Sequence, residues 1–214
     1  MEVVSKEEVL MNREKFIEMV RDGAIFIHPT DTIYGIGCVA VKGKTVQRVR
    51  EAKKRDIMPF SIIVPNTEWI YKNCIVPKFA EEWINKLPGP YTLIFKIKNR
   101  ESFAKEVNNG WETIGVRIPK HWFADFVREL GAPVITTSAN ISGEEFMTSM
   151  DNLNSEVKNK MDFIIYEGEK EGTPSTIVNL SKEQVEIITR GKSAEKPEKK
   201  RPISNFIKKI VKKR

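Results

Sequence analysis

The stretch Ala24-Ile25-Phe26-Ile27-His28 is apolar up to its last residue and runs directly into Pro29-Thr30-Asp31-Thr32. A short apolar run that ends in proline and small polar residues is typical of a buried strand followed by a loop. Upstream, Ser5 and Glu8 have capping-box spacing and apolar residues recur at helical intervals, which predicts an amphipathic helix over residues 6–21. The chain therefore begins with a helix, a buried strand and a polar loop.

Short strands and amphipathic helices continue to alternate along the chain. Gly35 and Gly37 are predicted to interrupt regular structure after the polar loop. The patterns predict helices at residues 45–54, 78–87 and 121–130, and strands at 60–64, 91–98, 114–118, 134–137, 162–167, 175–180 and 184–189. The late strands leave no room between them for the helix that a parallel connection needs. We therefore expect an α/β fold with a twisted, mixed parallel and antiparallel sheet and flanking helices.

The composition bounds the class of protein. The 214 residues are 40% apolar and 30% charged, which suits one substantial hydrophobic core. No apolar run approaches the roughly 20 residues that cross a bilayer, and the acidic start does not resemble a signal peptide, so we expect a cytoplasmic protein without a transmembrane segment. The wide separation of Cys38 and Cys74, with only His28 and His121 beside them, favours buried thiols and structural histidines over a disulfide or zinc site.

The net charge of +7 is concentrated at one end of the chain. Residues 192–214 hold ten Lys or Arg and two Glu, whereas residues 1–191 hold 26 basic and 27 acidic side chains. We predict one domain over residues 1–191 and a basic linker with a short amphipathic tail over 192–214, because apolar residues recur there at helical spacing: Ile203, Phe206, Ile207, Ile210 and Val211. A tail docked on its own core is as compatible with this pattern as tRNA or partner binding, and membrane-surface binding ranks third.

Four short segments, in this order and spacing, resemble the signatures of the YrdC-like threonylcarbamoyl-AMP synthases. They are Pro29-Thr30-Asp31-Thr32-Ile33-Tyr34-Gly35, Lys53-Lys54-Arg55, Ile114-Gly115-Val116-Arg117-Ile118-Pro119 and Thr137-Ser138-Ala139-Asn140-Ile141-Ser142-Gly143. Several motifs in order are far more specific than one motif alone. The resemblance spans about residues 8–191 and implies a twisted α/β sheet around a cationic cleft.

The resemblance also implies a nucleotidyltransferase reaction. L-Threonine takes up bicarbonate to form a carbamate, which attacks the α-phosphate of ATP, releases pyrophosphate and yields threonylcarbamoyl-adenylate for tRNA modification. Anions held together in one cavity repel strongly, so Lys, Arg and the Mg²⁺ that accompanies ATP are expected, without a protein-ligated metal. A separate tRNA threonylcarbamoyl transferase is the implied partner, with possible tRNA contact through the basic tail.

Site residues carried over from the family fall into three groups. The catalytic set is Lys53, Arg55, Ser138 and Asn140. The threonine-binding set is Thr32, Arg117, Ser138 and Ser175. The nucleotide-binding set is Lys53, Arg55, Thr113, Asn140, Thr148 and Arg190. Taken alone, Lys53 and Arg55 are more typical of a solvated helix end, and it is the partner motifs that favour a catalytic role. Each threonine is equally typical of a turn, and Arg117 of a surface ion pair.

The chain departs from the family pattern at two places. Arg55 is followed by Asp56 instead of proline, with Pro59 one residue early, and Gly172-Thr173-Pro174 replaces a commoner acidic residue before Ser175. Two other functions remain open at this point: a non-catalytic RNA-binding module of the same fold, and a paralogue that acts on another carbamate or amino acid.

Overall fold

The computed structural model describes residues 1–188. Within them the chain forms one mixed sheet whose strands are β1 (Glu2–Val4), β2 (Phe26–His28), β3 (Gly35–Gly37), β4 (Ser61–Ile63), β5 (Cys74–Ile75), β6 (Tyr91–Ile97), β7 (Thr113–Arg117), β8 (Val134–Ser138), β9 (Phe163–Ile165), β10 (Thr176–Asn179) and β11 (Glu186–Ile188). The spatial order is β1-β9-β2-β3-β8-β4-β7-β6-β10-β11, and β5 pairs with β6. Parallel and antiparallel pairs both occur, which confirms the predicted mixed sheet.

Helices cover both faces of this sheet. They are α1 (Lys6–Met11), α2 (Arg13–Asp22), α3 (Gly43–Lys53), α4 (Thr67–Asn73), α5 (Glu81–Ile84), α6 (Phe123–Leu130) and α7 (Ser155–Lys160), with short 3-10 turns at Lys78–Ala80, Arg100–Ser102 and Lys105–Val107. Because neighbouring strand residues point to opposite faces, Ile62 joins one hydrophobic core and Ile63 the other. Consecutive apolar residues are typical of a strand buried on both faces, as at Phe26-Ile27 in β2 and Ile62-Ile63 in β4.

The predicted first helix is two helices. The capping box of Ser5 and Glu8 is as predicted, but the helix breaks at Asn12, and its second part ends at Gly23 in the left-handed conformation. There the Asn12 side-chain amide donates to the Glu8 carbonyl at 2.9 Å, in addition to the backbone N–H. Asparagine competes with helical hydrogen bonds in this way, which explains the break.

Other differences are local. The predicted helix at 78–87 is a 3-10 turn followed by the single turn of α5, and the helix at 121–130 begins at Phe123. Gly35 and Gly37, predicted to interrupt regular structure, form β3 instead. Cys38 and Cys74 are buried free thiols, as predicted. Predictions on residues 189–214, including the linker and tail, lie outside the described residues.

Candidate active site

The candidate site is a cleft on one face of the sheet, above a floor of small residues. Ser61 on β4 pairs with Thr136 on β8 and with Gly115 on β7. A Cβ added at Gly115 would approach the Ser61 hydroxyl to 2.7 Å, so the floor tolerates no side chain there. The cleft is lined by Ile33, Tyr34, Gly35, Arg55, Pro59, Phe60, Ser61, Thr92, Arg117, Thr136, Thr137, Ser138, Pro174 and Ser175.

The register of the strands gives the cleft two ends. Strand β7 runs parallel to β4, and Arg117 lies two residues beyond Gly115 along it. Strand β8 runs antiparallel to β4, so Ser138, two residues beyond Thr136, lies in the opposite direction. At about 3.3 Å per residue, these two positions are separated by roughly 13 Å along the strands. Ser138 and Arg117 therefore mark the two ends of one cleft.

At the first end, Lys53 holds the loop that follows β8. Lys53 ends α3 and is 1% exposed. Its ammonium donates to the Ser138 carbonyl at 2.5 Å, the Asn140 carbonyl at 2.8 Å and the Asn140 side-chain Oδ1 at 2.9 Å. The Ser138 hydroxyl donates to the same Oδ1 at 2.6 Å, and Asn140 Nδ2 donates to the Glu144 carbonyl at 2.6 Å. Three of the four predicted catalytic residues are therefore joined in one network.

Arg55, the fourth predicted catalytic residue, lies at the same end and lines the cleft. Its guanidinium donates to the carbonyls of Met58 at 3.3 Å and Pro59 at 2.7 Å, and lies 5.3 Å from the centre of the Phe60 ring. Thr113 precedes Gly115 by two residues on β7, on the same face and toward the Ser138 end. Its predicted nucleotide contact is consistent with this position, although Thr113 is not among the cleft-lining residues.

At the second end, Arg117 is held between two parts of the polar loop. Its Nη2 donates to Asp31 Oδ1 at 2.9 Å and to Thr32 Oγ1 at 3.2 Å, and its side chain is only 6% exposed. Asp31 Oδ2 accepts the backbone N–H of Lys120 at 2.9 Å. Asp31 therefore fixes the orientation of Arg117 and offsets part of its charge. A buried guanidinium oriented in this way suits the planar recognition of a carboxylate.

Ser175 is brought to the cleft by the segment before β10. Its hydroxyl lies 2.7 Å from the Thr92 hydroxyl on β6, and both side chains are buried. Arg117, Thr32 and Ser175, predicted to bind threonine, therefore converge in the structure with Asp31 and Thr92.

A segment that we call the strap, residues 167–174, crosses the polar loop before it reaches Ser175. Glu167 anchors it: one carboxylate oxygen lies 2.7 Å from His121 Nε2 and accepts from Lys170 Nζ at 2.7 Å, while the other accepts from Trp122 Nε1 at 2.9 Å. Gly172 lies so close to Thr32 that an added Cβ would overlap the Thr32 carbonyl oxygen. The glycine of the unusual Gly172-Thr173-Pro174 sequence is therefore required by this close approach.

Burial and hydrogen bonding oppose one another at Glu167. Burial alone would raise the pKa of the carboxyl group, but the donors His121, Lys170 and Trp122 outweigh it and lower the pKa to about 2. Glu167 is therefore ionised throughout the physiological range, and its charge secures the strap.

One predicted nucleotide contact, Thr148, lies away from this arrangement. Thr148 is not among the cleft-lining residues, and its hydroxyl accepts from Asn152 Nδ2 at 3.0 Å within a turn. The Thr148 carbonyl accepts the backbone N–H of Lys170, so its observed contacts secure the strap. Arg190 lies outside the described residues.

Sequence reasoning missed Asp31, Thr92 and Glu167. Asp31 stands inside the recognised Pro29–Gly35 motif, directly before the predicted threonine-binding residue Thr32, and this position was the available signal. Thr92 and Glu167 carried no motif, because their roles depend on contacts with Ser175 and with residues 121–122 that are distant in sequence.

Comparison with known proteins decides the family. The sequence model of the Sua5_yciO_yrdC family, whose description is "Telomere recombination", matches residues 18–191. The chain belongs to the Sua5/YciO/YrdC family. A family relative from Methanocaldococcus jannaschii, a "Putative threonylcarbamoyl-AMP synthase", is 38% identical over 189 residues, which cover 84% of this chain and 87% of the relative.

A second family member extends the comparison to a solved structure. The "Threonylcarbamoyl-AMP synthase" of Pyrococcus abyssi is 32% identical over 167 residues, covering 76% of this chain and 48% of the relative. The crystal structure of P. abyssi Sua5 complexed with L-threonine superposes with a TM-score of 0.77 at 29% identity, over 87% of this chain and 56% of that one. This chain therefore corresponds to about half of the P. abyssi protein.

Two further features concern the described part of the chain. None of the helices within residues 1–188 is both long and apolar enough to cross a bilayer. In the same residues, no three His, Cys, Asp or Glu side chains are grouped as metal ligands.

Proposed function

We propose that this chain is a threonylcarbamoyl-AMP synthase, which makes threonylcarbamoyl-adenylate and pyrophosphate from L-threonine, bicarbonate and ATP. The observation that carries the proposal is a single cleft lined by Arg117 and Ser175 at one end and by Arg55 and Ser138 at the other. Thr32 is hydrogen-bonded to Arg117, and Lys53 and Asn140 are hydrogen-bonded to Ser138. The names of the M. jannaschii and P. abyssi relatives, and the L-threonine complex of P. abyssi Sua5, support the same substrate.

The two ends divide the chemistry between them. Arg117 receives the threonine carboxylate, with the hydroxyls of Thr32 and Ser175 beside it, so that the amine is directed along the cleft. The amine attacks the bicarbonate carbon, a C–N bond forms as a C–O bond breaks and water leaves, and the resulting carbamate meets the nucleotide near Ser138. Its oxygen attacks the α-phosphate, the new P–O bond forms, and the bond to pyrophosphate breaks.

Lys53 contributes through charge and through position. Its ammonium takes up the carbonyls of Ser138 and Asn140, so the loop presents donors to the anions instead of oxygen atoms. A unit charge about 4 Å from a developing anion is worth roughly 4 kcal/mol at an effective dielectric near 20. Arg55 supplies a second cation for the phosphates, and Mg²⁺ enters with ATP on the phosphate oxygens. We place the reaction in the cytoplasm, with transfer to tRNA made by a separate transferase.

The direct test is pyrophosphate release by the purified protein with MgATP, bicarbonate and L-threonine. Release is expected to depend on threonine, and to fall at least about 100-fold in Lys53→Ala and in Arg117→Ala. Arg128→Ala is the matched control, since Arg128 is exposed and pairs only with Asp125 on its own helix among the ion pairs of residues 1–188. Release that is indifferent to threonine would end the proposal.

The same assay separates the alternatives. Preference for serine or another amino acid over threonine would identify a paralogue with a different substrate. RNA affinity that is unaffected by ATP and survives removal of residues 192–214 would favour a non-catalytic RNA-binding module.

A further inference from the structure

Arg50 is a buried arginine outside the predicted site, one helical turn before Lys53 on α3. It is 3% exposed and its guanidinium donates to five backbone carbonyls. Nε contacts Glu106 O at 2.7 Å, Nη2 contacts Val107 O at 3.1 Å, and Nη1 contacts the carbonyls of three loop residues: Arg55 at 3.1 Å, Asp56 at 3.3 Å and Met58 at 3.1 Å. Only a guanidinium offers enough donors in one plane for such a set.

The loop that Arg50 holds is the one on which Arg55 lies. Arg55 folds back to donate to Met58 O and Pro59 O, so the Met58 carbonyl accepts from both arginines. Both guanidinium groups also lie against the Phe60 ring, Arg50 at 4.6 Å and Arg55 at 5.3 Å from its centre. A displacement of the loop would therefore move the Arg55 guanidinium with it.

Asn109 also holds this loop, from the solvent side, and we call its contacts the outer clamp. Asn109 Nδ2 donates to Asp56 O at 2.7 Å and to Ile57 O at 3.2 Å. Residues 55–58 contain no proline or glycine to restrict or reverse the backbone, and the side chains of Ile57 and Met58 are exposed. The loop shape therefore depends on donors from outside the loop, Arg50 on the inner side and Asn109 on the outer side.

Burying a cation for packing alone would be costly, because an apolar side chain fills the same volume without desolvation. The acceptors of Arg50 are instead the backbone carbonyls of the loop that carries Arg55 and of Glu106 and Val107. We propose that Arg50 is a positioning residue that fixes the Arg55–Pro59 loop and thereby holds Arg55 for the nucleotide. This inference rests on the proposed function only for the identity of the reaction, since nucleotide binding can be measured separately.

The experiment uses two variants that loosen the loop from opposite sides. Arg50→Lys keeps the charge but loses two of the five N–H donors and the planar fork geometry. Asn109→Gly removes the outer clamp and leaves the core intact, and glycine suits the left-handed backbone at this position, where φ is 51°. Both variants are expected to raise the KM for ATP about 5- to 10-fold, with a smaller change in kcat and a KM for threonine within about twofold of the unmodified chain.

Arg48→Lys is the matched control on the same helix. Arg48 donates to Gly23 O and Asp162 on the side away from the loop, so all three kinetic constants are expected to stay within about twofold. An ATP KM that is unchanged in every folded variant would overturn the proposal, and Asn109→Gly decides the matter if Arg50→Lys does not fold.

A binding measurement keeps this inference distinct from the proposed function. Calorimetric titration with a non-hydrolysable ATP analogue is expected to show the same 5- to 10-fold weakening in both variants. If the unmodified chain binds the analogue but releases no pyrophosphate with threonine, the proposed reaction fails and the positioning role of Arg50 is still tested. Equal analogue affinity in all variants would refute that role even in an active synthase.

Discussion

His28 shows how one buried titratable side chain couples this fold to pH. Its ring stacks on Phe123, with centroids 4.4 Å apart, and its Nδ1 lies 3.2 Å from the Pro29 carbonyl. Burial lowers its pKa from 6.5 to about 3, so the folded protein holds the ring neutral. His28 therefore has a packing role, as expected for an isolated histidine, and its ring positions the start of the polar loop.

Replacement of His28 by Phe is expected to flatten the pH dependence of stability. The unfolded chain takes up a proton at His28 as the pH falls through 6.5, whereas the folded chain does so only near pH 3. The contribution of His28 to the free energy of unfolding is therefore fully present above pH 6.5. It is lost progressively below that pH, by about 3 kcal/mol at pH 4. Urea unfolding at pH 7 and pH 4 measures this, and an equal loss in both proteins would contradict the assignment.

Lys53 illustrates what residue-level reading of the sequence could and could not supply. Its position at the end of a helix was predictable from the spacing of the apolar residues of α3, and such lysines are ordinarily solvated. Its burial follows from the carbonyls of Ser138 and Asn140, which are more than 80 residues away in the chain. The motif resemblance placed these residues in one site, but only the coordinates reveal that the ammonium supports the loop.

At the scale of elements, β3 shows why a strand escaped prediction. Gly35 and Gly37 suggest a break in regular structure, yet a Cβ at either position would meet the His28 ring at about 3 Å, 3.0 Å for Gly35 and 2.8 Å for Gly37. The glycines are present because a neighbouring ring covers this strand, which is a common reason for glycine inside a sheet. Strands with alternating or continuous apolar residues, such as β6 and β8, needed no such knowledge and were predicted within one residue at each end.

The strap is the element that connects the polar loop to Ser175, and its anchor is testable. Glu167→Gln removes the charge that three donors share, so we expect a less stable protein at pH 7. We also expect a several-fold higher KM for threonine, because Gly172 would no longer be held against Thr32. The depressed pKa of Glu167 means that its contribution is present above about pH 4.5 and is lost as the pH falls toward 2. The variant should therefore differ least from the unmodified chain near pH 2.

Glu171→Gln is the control for the strap, because Glu171 is exposed and lies in the same segment. Urea unfolding at pH 7 and at pH 3, together with the KM for threonine, compares the three proteins. If Glu171→Gln raises the KM for threonine as much as Glu167→Gln does, the increase comes from the lost negative charge in the strap and not from the lost contacts of Glu167.

At the scale of the whole molecule, the net positive charge and the candidate active site lie in different parts of the chain. Residues 1–191 carry nearly equal numbers of acidic and basic side chains, and the excess positive charge lies in residues 192–214. Within residues 1–188, Arg117 is paired with Asp31, whereas Lys53 and Arg55 donate to backbone carbonyls. The cleft is thus suited to small anions, whereas long-range attraction of a polyanion belongs to the C-terminal segment.

A chain that ends at Gly191 is therefore expected to keep threonine-dependent pyrophosphate release within about twofold and to lose most of its affinity for tRNA. If six or more of the removed cations contact phosphates, the affinity of the full chain should fall by about 1,000-fold or more between 50 and 200 mM salt, because each contact releases counterions. Fluorescence anisotropy of labelled tRNA at both salt concentrations measures this. Affinity retained by the shorter chain would instead locate an RNA surface on the folded domain, and lost pyrophosphate release would make the C-terminal segment part of the catalytic unit.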